Sequence, residues 1–537
     1  MNPMLLNRPR WHGGQLLAFS GLDGATDYEH GLTARTAFGE PGLEIKLPGE
    51  CRLEFPVGPL QRALVAGDFF EAQGDGETVR GAFLDAYHLL IEGPCRVAKA
   101  ADAVRHVANA DRLLVGSASH FEPAKLDANL GDALRERRRW MEVQRMPARL
   151  PPRTARTLAK ALSVMKTQVY TPEGAIRHRW TTPDRWPHRA MWLWDSAFHA
   201  IGWRHLDPAL ARDMLSAVLD AQTGDGFMAH MIKPDGTSEI TQPPVLALGV
   251  KLVHQAEPAL DWVRELYSKL CAYVEWDFRH RDTDGAGLVE WFIQGDTRCR
   301  SGESGMDNSP RFDSATQLDA TDFNAFLALE CETLGQLAED IGRPADAARW
   351  RERHQTLCRK INERLWSPEH RFYVDYDVTR EAPSPVLASA GFLPLICGAP
   401  SAEQAASLVR HLGDPEMFGS AFPVASIAVR DRTHYEKDMW RGPVWININW
   451  LIAYGLERCG QKDSADDLRT RTRHEVEEYC ERFGTLFEFY DDRAEAAPPD
   501  LLRKGKPAAG DPNPYHHVFH DYGWTATLFA DLIFSGG

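Results

Sequence analysis

The sequence predicts a mainly α-helical protein, an (α/α)6 toroid preceded by a small N-terminal β-sandwich-like domain. Three observations lead to this fold class. Short apolar segments at strand-like spacing fill the first part of the chain, helical periodicity runs through the rest, and short connections between helices alternate with long ones. We therefore predict a β-rich domain over 1–125, a helical linker over 126–150 and the toroid over 151–537.

The N-terminal part has the pattern of a β-sandwich. Segments such as LEIKLP, CRLEFPV, YHLLIEG and DRLLVGSAS are separated by Gly, Pro and Asp. This spacing is typical of short antiparallel strands, and about 120 residues are enough for two packed sheets. The charged run RERRRW in the following linker predicts a helix with a solvated face.

Twelve helical segments are predicted after residue 150 from apolar periodicity and capping residues. Asp207 followed by Pro208 indicates a helix start, and Ser401 with Gln404 has the spacing of a capping box. The predicted ranges are 153–170, 194–203, 207–222, 243–255, 257–279, 319–341, 344–364, 384–397, 401–412, 442–459, 463–483 and 521–534.

The connections between these segments indicate how they are arranged. Five of them, RHL, AE, GR, GAP and GQK, are so short that the helices they join must pack antiparallel. The long loops then gather at one end, which is the pattern of an (α/α)6 toroid. We expect binding residues in these loops, because loops on a rigid scaffold commonly carry function. The long loops are 171–193, 223–242, 280–318, 365–383, 413–441 and 484–520.

Composition and charge limit the possible partners. The chain has 537 residues, of which 43% are apolar and 26% charged, as expected for a globular protein. A formal net charge of -15 argues against a nucleic acid or an anionic membrane as partner. The nine cysteines are scattered without a CxxC pair, and we find no secretory h-region or membrane-spanning stretch. We therefore expect a cytoplasmic protein, while its oligomeric state remains open.

The long loops are rich in the groups that bind sugars. HRWTTPDRWPHRAMWLWD, YEKDMWRGPVW and YHHVFHDYGW combine aromatic rings with carboxylates and arginines. Sugar rings stack on aromatic faces, while sugar hydroxyls need hydrogen-bond donors and acceptors. A small carbohydrate is the predicted ligand.

A carboxylate pair for sugar chemistry is also present. Glycoside hydrolysis needs one acid to protonate the leaving oxygen and, in an inverting enzyme, a carboxylate to activate water. Asp307 lies in SGESGMDNSPRFD, where apolar neighbours are expected to raise its pKa, as an acid requires. Glu488, in the apolar string LFEFY, is the predicted base, with Glu436 and Asp438 as alternatives.

Several motifs together resemble glycoside hydrolase family 63, which includes processing α-glucosidases and bacterial mannosylglycerate and glucosylglycerate hydrolases. They are MWLWDSAFHA, ITQPP, ESGMDNSPRFD, WRGPVWININWL, FEFYD and YGWTATLFADLI, spread over about residues 155–537. Trehalases share the scaffold more distantly. The resemblance implies that Asp307 is the general acid and Glu488 the general base. One departure is Gly302, where the family usually has Trp.

The resemblance also implies a set of sugar ligands. Asp195 corresponds to the aspartate of a WDS motif that holds sugar hydroxyls, and Gln242 to the amide of a QPP motif. Arg441, between aromatic residues, has the character of a substrate clamp. The full predicted substrate-binding set is Trp194, Asp195, His230, Gln242, Gly305, Arg311, Trp440, Arg441, Trp445 and Trp524.

The predicted function is that of an inverting α-glycoside hydrolase that releases glucose or mannose from a small glycoside or disaccharide. The arginines Arg177, Arg179, Arg185, Arg189 and Arg441 could receive an acidic aglycone such as glycerate. Three alternatives stay open: a trehalase-like enzyme, a sugar epimerase or isomerase that uses two histidines, and an inactive glycan-binding protein.

No cofactor and no metal site are predicted. The histidines His516, His517 and His520 lack a carboxylate at a known metal-ligand spacing. Asp282 and Asp284 in RDTDGAG have the pattern of an Asp-Gly turn, without the full loop of an EF-hand, and leave calcium binding open.

Overall fold

A computed structural model describes residues 11–296, 299–506 and 513–536. Within these residues, twelve α-helices follow a strand-rich N-terminal part, in agreement with the predicted mainly α-helical class. The helices are α1 (Leu130–Val143), α2 (Pro152–Thr167), α3 (Leu193–Trp203), α4 (Pro208–Asp220), α5 (Leu246–Ala256), α6 (Leu260–Arg281), α7 (Thr321–Asp340), α8 (Pro344–Arg364), α9 (Ala402–Gly413), α10 (Ile446–Arg458), α11 (Lys462–Phe483) and α12 (Gly523–Ser535).

Two antiparallel sheets face each other in the N-terminal part. Their side chains alternate between a shared apolar core and the outside, as expected of a sandwich. The strands are β1 (Leu16–Ala18), β2 (Thr33–Thr36), β3 (Gly42–Leu47), β4 (Cys51–Glu54), β5 (Leu60–Val65), β6 (Phe69–Gly74), β7 (Glu77–Asp85), β8 (His88–Glu92), β9 (Arg96–Lys99), β10 (Val104–Ala108) and β11 (Arg112–Ser117). The sheet orders are β1-β2-β3-β4-β9 and β10-β11-β8-β7-β6-β5.

The linker helix α1 is shorter and more buried than its charged sequence predicts. Asn129 caps its first turn by accepting a hydrogen bond from the backbone of Asp132. Within the charged run, Arg137 is buried and forms an ion pair with Asp23 at 3.2 Å. The run therefore does not form a uniformly solvated face, because one arginine anchors α1 on the sandwich.

The remaining helices form two concentric layers. Contacts run from α3 to α5, α7, the segment Ser389–Cys397, α10 and α12, and from α12 back to α3, which closes an inner ring. Most residues of these inner helices are buried, whereas the outer helices α8 and α11 bury only one stripe. Helix starts follow the predicted caps, including Asp207 on α4 and the capping box of Ser401 with Gln404 on α9.

The prediction of an α-helix over 384–397 was wrong. Residues 389–397 form a 3-10 helix instead of an α-helix. Pro394 lies inside the segment, lacks a backbone N–H and clashes with a normal α-helical turn. Gly391 also packs so closely that a Cβ there would lie 2.2 Å from the ring of Phe372. The segment still takes its predicted place in the inner ring.

The long loops lie at one end of the ring and contain short antiparallel pairs. These strands are β12 (Val169–Tyr170), β13 (Trp180–Thr181), β14 (Met191–Trp192), β15 (Met231–Lys233), β16 (Gly236–Thr237), β17 (Leu318–Asp319), β18 (Trp366–Ser367), β19 (Phe372–Tyr373), β20 (Tyr376–Asp377) and β21 (Ala382–Pro383). Among the helices described, none combines the length and the apolar character needed to cross a membrane. All nine cysteines lie in the described ranges and are free thiols.

Candidate active site

A cavity of about 300 Å³ opens at the long-loop end of the ring. Its walls come from the N-termini of α3 and α12 and from the loops before α5, α7, α10 and α12. The lining residues are His188, Trp192, Trp194, Asp195, His230, Ile240, Gln242, Gln294, Cys299, Gly302, Gly305, Asp307, Met439, Trp445, Glu488, Arg503, Lys504, Tyr515, Tyr522 and Trp524. Both predicted catalytic carboxylates and seven of the predicted sugar ligands therefore meet in one cavity.

The loop that carries Asp307 is held rigidly from behind. Glu303, four residues earlier, is fully buried and accepts two hydrogen bonds from Arg281, at 2.8 and 2.6 Å. It also accepts the backbone N–H groups of Thr241 and Phe292. Glu303 and Asp307 therefore have different environments, since Glu303 anchors the loop and Asp307 faces the cavity.

Asp307 forms an ion pair in this structure. Its Oδ2 lies 2.6 Å from Nζ of Lys504, and its side chain remains partly exposed to the cavity. Burial raises the pKa of Asp307, but the charges of Lys504 and Arg503 and a hydrogen bond from Cys299 outweigh it. The net pKa is lowered, which is opposite to our expectation from the sequence, because the sequence does not reveal the lysine partner.

Glu488 is buried and held in a fixed orientation. Arg503 donates from Nε to Oε2 at 2.9 Å and from Nη2 to Oε1 at 3.1 Å. Arg503 is itself fixed, since Nη1 donates to the carbonyl of Tyr515 and the guanidinium lies 4.3 Å from the ring centroid of Phe519. A two-pronged contact of this kind sets the plane of the carboxylate.

Three further polar residues line the cavity. Asp195 is buried, its Oδ1 has no hydrogen-bond partner among the described residues, and burial raises its pKa well above the usual range. Gln242 accepts the backbone N–H of Trp194. Burial lowers the pKa of His230, whose Nδ1 pairs with the hydroxyl of Ser238. An unpaired buried carboxyl group of this kind is ready to receive a polar ligand.

Aromatic rings form one wall of the cavity. The Trp194 and Trp524 rings meet edge to face, with centroids 5.2 Å apart, and Trp524 meets Trp445 in the same way at 5.5 Å. Trp440 stacks on Trp445 at 3.8 Å and is almost parallel to it. Trp445 is in the lining, whereas Trp440 supports it as a second layer.

Arg311 and Arg441 also take positions outside the cavity lining. Arg311 is buried in ion pairs with Asp322 at 2.6 Å and with Asp375 at 3.1 Å, which fix the end of the Asp307 loop against α7. Arg441 pairs with Asp313. Together with Trp440, these residues are therefore placed to support the loops around the cavity.

The alternative bases lie outside the lining as well. Glu436 is exposed. Asp438 is buried and accepts the backbone N–H groups of Lys504 and Gly505, at 2.8 and 2.7 Å. It also accepts a hydrogen bond from the side chain of Asn308, which follows Asp307. Asp438 thus ties the Asp307 loop to the turn that carries Lys504.

The structure adds functional candidates that the sequence analysis did not name. Arg503 and Lys504 are the main additions, joined by His188, Tyr515 and Tyr522. The basic run RKGK at 503–506, inside an otherwise acidic protein, was the available signal. Basic residues in a loop usually project into water, however, so sequence alone did not distinguish the two that turn inward.

Acidic residues also cluster away from the cavity. Asp284, Glu290 and Asp319 bring carboxylate oxygens within 4.8 Å of one another. The guanidinium of Arg364 contacts Asp319 and lies 3.7 Å from Asp284, so an arginine already balances part of this charge. Asp282 accepts the N–H of Gly287, as the predicted turn requires.

A larger cavity, of about 450 Å³, lies between the sandwich and the toroid. Phe38, Trp186 and Phe519 contribute to its walls. Its acidic residues are both paired: Glu44 with Lys46 at 2.8 Å and Glu50 with Lys99 at 3.5 Å. The smaller cavity is the better candidate, because Asp307 and Glu488 line it together with several Trp rings, Gln242 and the carboxyl group of Asp195.

Comparisons with known proteins identify the family of this chain. The sequence model of the family described as "Mannosylglycerate hydrolase MGH1-like glycoside hydrolase domain" matches residues 187–525. A mannosylglycerate hydrolase of Rubrobacter radiotolerans is 25% identical over 443 residues, which are 66% of this chain and 92% of that protein. A glucosylglycerate hydrolase of Mycolicibacterium hassiacum is 24% identical over 414 residues, 58% of this chain and 87% of that protein.

A solved structure is similar to this chain as well. The GH63 mannosylglycerate hydrolase of Thermus thermophilus in complex with glucose superposes with a TM-score of 0.57 and 26% identity. The match covers 71% of this chain and all of that chain. The family match spans more than half of the sequence and includes every residue of the cavity lining. This chain therefore belongs to the mannosylglycerate hydrolase MGH1-like members of glycoside hydrolase family 63, and it is a glycosidase.

Proposed function

We propose that this chain is an inverting α-glycoside hydrolase that releases glucose or mannose from a small glycoside with an acidic aglycone such as glycerate. The observation that carries the proposal is the position of Asp307 and Glu488, which project from different loops into one cavity. In the inverting reaction, Asp307 protonates the leaving oxygen while Glu488 removes a proton from the attacking water.

The sugar would bind in the cavity between these carboxylates. Trp194 and Trp524 offer apolar faces, while Asp195, Gln242 and His230 offer hydroxyl partners. The unpaired Oδ1 of Asp195 supports this role, since a sugar hydroxyl could donate to it. A sugar hydroxyl there would give Oδ1 of Asp195 the hydrogen-bond partner that the described residues do not supply.

Two cationic side chains in the cavity support the proposal that the aglycone is acidic. Arg503 and Lys504 both line it. Three of the arginines predicted for this role have other contacts: Arg179 pairs with Asp213, Arg185 is buried against the ring of Tyr170, and Arg441 pairs with Asp313. The names of the related mannosylglycerate and glucosylglycerate hydrolases agree with a glycerate leaving group.

The anomeric configuration of the newly released sugar tests whether the reaction inverts. Water must fit between the base and the anomeric carbon, so we predict about 6.5 to 9.5 Å between the carboxyl groups of Asp307 and Glu488. Proton NMR during the first minutes of hydrolysis of an α-glycoside should detect the β-sugar before mutarotation. If the α-sugar appears first, the enzyme retains configuration and the base assignment fails.

Two isosteric variants test the roles of the carboxylates. Asp307→Asn should lower kcat by about two to four orders of magnitude for a glycerate glycoside, because the leaving oxygen loses its proton donor. An aryl glycoside with a good leaving group should lose much less. Glu488→Gln should fail on both substrates, because both need activated water. Equal losses of Asp307→Asn on the two substrates would contradict the acid role.

A substrate panel separates the alternatives. The panel contains glucosylglycerate, mannosylglycerate and trehalose, and free glucose in D₂O is assayed alongside. Trehalose as the preferred substrate would favour the trehalase-like alternative. His188 and His230 both line the cavity, so an epimerase is tested by deuterium entry at a sugar carbon, which hydrolysis does not produce. A chain that binds sugars but cleaves none of the panel would be a binding protein.

A further inference from the structure

Two consecutive residues contact the two catalytic candidates. Arg503 is bound to Glu488, and Lys504 is bound to Asp307 at 2.6 Å. Their exposure differs, because the side chain of Arg503 is 3% exposed and that of Lys504 is 20% exposed. Arg503 is enclosed by its partners, whereas the ammonium group of Lys504 is open to whatever occupies the cavity.

The backbone of Lys504 is fixed while its side chain can change partner. Asp438 holds the N–H groups of Lys504 and Gly505, and Lys504 adopts a left-handed conformation with φ of +59°. Asp438 also accepts a hydrogen bond from Asn308, so the turn is tied to the Asp307 loop. A lysine ammonium on a flexible four-carbon stem suits an exchange between two nearby carboxylates.

The surroundings of Asp307 make this exchange chemically important. Lys504, Arg503, the thiol of Cys299 and the ring of His230 face the carboxylate from the neighbouring loops. With the ammonium at 2.6 Å, Asp307 is held as the ionised form. A general acid must carry a proton when the glycosidic bond breaks. The ion pair seen in this structure is therefore a resting arrangement.

We propose that Lys504 selects an anionic leaving group, because the aglycone carboxylate draws the ammonium away from Asp307 and lets Asp307 take up the proton that it later donates. The inference rests on the proposed function of Asp307 as general acid. It adds a specificity-determining residue that also couples substrate choice to the protonation of the acid.

The proton balance of one turnover is complete. On binding, the substrate carboxylate pairs with Lys504, and Asp307 takes one proton from solvent. During hydrolysis this proton moves to the glycosidic oxygen as the bond to the anomeric carbon breaks. Glu488 takes one proton from the attacking water and later releases it to solvent. A neutral aglycone has no charge with which to draw Lys504 away, so Asp307 stays ionised and hydrolysis is slow.

Calorimetry tests the proton uptake without turnover. D-glycerate is titrated into the protein at pH 7 in buffers of different ionisation enthalpy. We expect an uptake approaching one proton per bound glycerate in the wild type and essentially none in Asp307→Asn. Lys504→Met should lose the coupled uptake, whereas Lys506→Met should keep it, because it removes the same charge from an exposed side chain two residues away. Binding of glycerate by the wild type without proton uptake would overturn the proposal.

Selectivity gives the second test. Glucosylglycerate carries a carboxylate where glucosylglycerol carries a CH₂OH group. The kcat/KM for glucosylglycerate divided by that for glucosylglycerol therefore measures the effect of this negative charge. We expect the ratio to fall at least about tenfold in Lys504→Met and to persist in Lys504→Arg and Lys506→Met. Circular dichroism and the unfolding temperature identify any variant that has not folded. If Lys504→Met does not fold, Lys504→Arg keeps the test valid.

The outcomes distinguish the two proposals. If the wild type cleaves both substrates equally well, or if Lys504→Met keeps the preference, the role of Lys504 is refuted while the hydrolase assignment stands. If the wild type cleaves neither substrate nor any α-glycoside of the panel, the proposed function itself fails.

Discussion

Glycine at position 305 shows how closely the acid loop and the sugar wall are built together. Its φ is +68°, a region that L side chains rarely adopt. A Cβ at this position would lie 2.5 Å from Cζ2 of Trp194. The loop that carries Asp307 can therefore approach the Trp194 ring only because residue 305 has no side chain.

We predict that Gly305→Ala lowers kcat/KM by about 100-fold, because displacement of the ring or the acid by about 1 Å is enough for such a loss. The unfolding free energy should fall by about 1–2 kcal/mol from backbone strain. Steady-state kinetics and thermal unfolding measure the two effects. Gly236→Ala is the matched control, since Gly236 has open space around its Cβ position. Full activity of Gly305→Ala would contradict the close approach.

At the scale of elements, neighbouring helices of the inner ring are joined by a buried carboxyl group. Glu330 on α7 accepts the backbone N–H groups of Ala247 and Leu248 in the first turn of α5, at 2.8 and 3.0 Å. These N–H groups have no partner within their own helix. Burial raises the pKa of Glu330 to about 7, although the two hydrogen bonds act in the opposite direction.

This contact predicts a pH-dependent difference between Glu330→Gln and the wild type. The folded-state pKa lies above the unfolded value of about 4.3, so the native state binds more protons between these values. The contribution of Glu330 is therefore complete below about pH 4 and is lost as the pH rises through about 7. As the pH rises through this range, the unfolding free energy of the wild type should fall by up to about 3 kcal/mol relative to that of Glu330→Gln.

Chemical unfolding at several pH values between about 4.5 and 8 measures this difference, because that range spans the reference carboxyl pKa and the raised pKa of about 7. Glu339→Gln serves as the control, because it removes a carboxylate from an exposed position of the same helix. The stability difference should change with pH for Glu330→Gln and stay nearly constant for Glu339→Gln. Parallel curves for wild type and Glu330→Gln would rule out the raised pKa.

At the scale of the whole molecule, the N-terminal sandwich supports the loops around the cavity. Arg35 on β2 is buried and donates hydrogen bonds to the carbonyls of Asp184, Trp186 and His520, at 2.9, 2.6 and 2.9 Å. These carbonyls belong to the loops that also carry His188 and Tyr522 into the cavity. The sandwich is thus in contact with two active-site loops through one guanidinium group.

We predict that Arg35→Met destabilises the protein, since each carbonyl left unpaired and buried costs about 1–3 kcal/mol. We also expect kcat to fall more than KM changes, because the loops would be misaligned for catalysis while the sugar wall remains. Arg35→Lys should recover part of kcat by keeping some donors. Arg105→Met, at an exposed position of the same sandwich, is the control. Unchanged kcat in a folded Arg35→Met would show that the sandwich does not position the loops.

The sequence by itself determined the order of elements and the identity of the end where the site lies. Helix periodicity and caps are local properties, so the starts of α4 and α9 follow directly from Asp207 and Ser401. Antiparallel packing across short connections then brings the long loops together. Asp307 and Glu488 could for this reason be assigned to one cavity before their positions were known.

Only the tertiary structure decided which charged groups meet. Lys504 pairs with Asp307 and Arg311 turns away from the cavity toward Asp322, and both contacts depend on how the loops fold against their neighbours. For the same reason, the pKa of Asp307 is lowered, whereas the sequence predicted that it would be raised. Burial alone raises this pKa, and the nearby ammonium group lowers it. Side-chain pairing across loops is a property of three-dimensional distance, and local sequence patterns contain no measure of that distance.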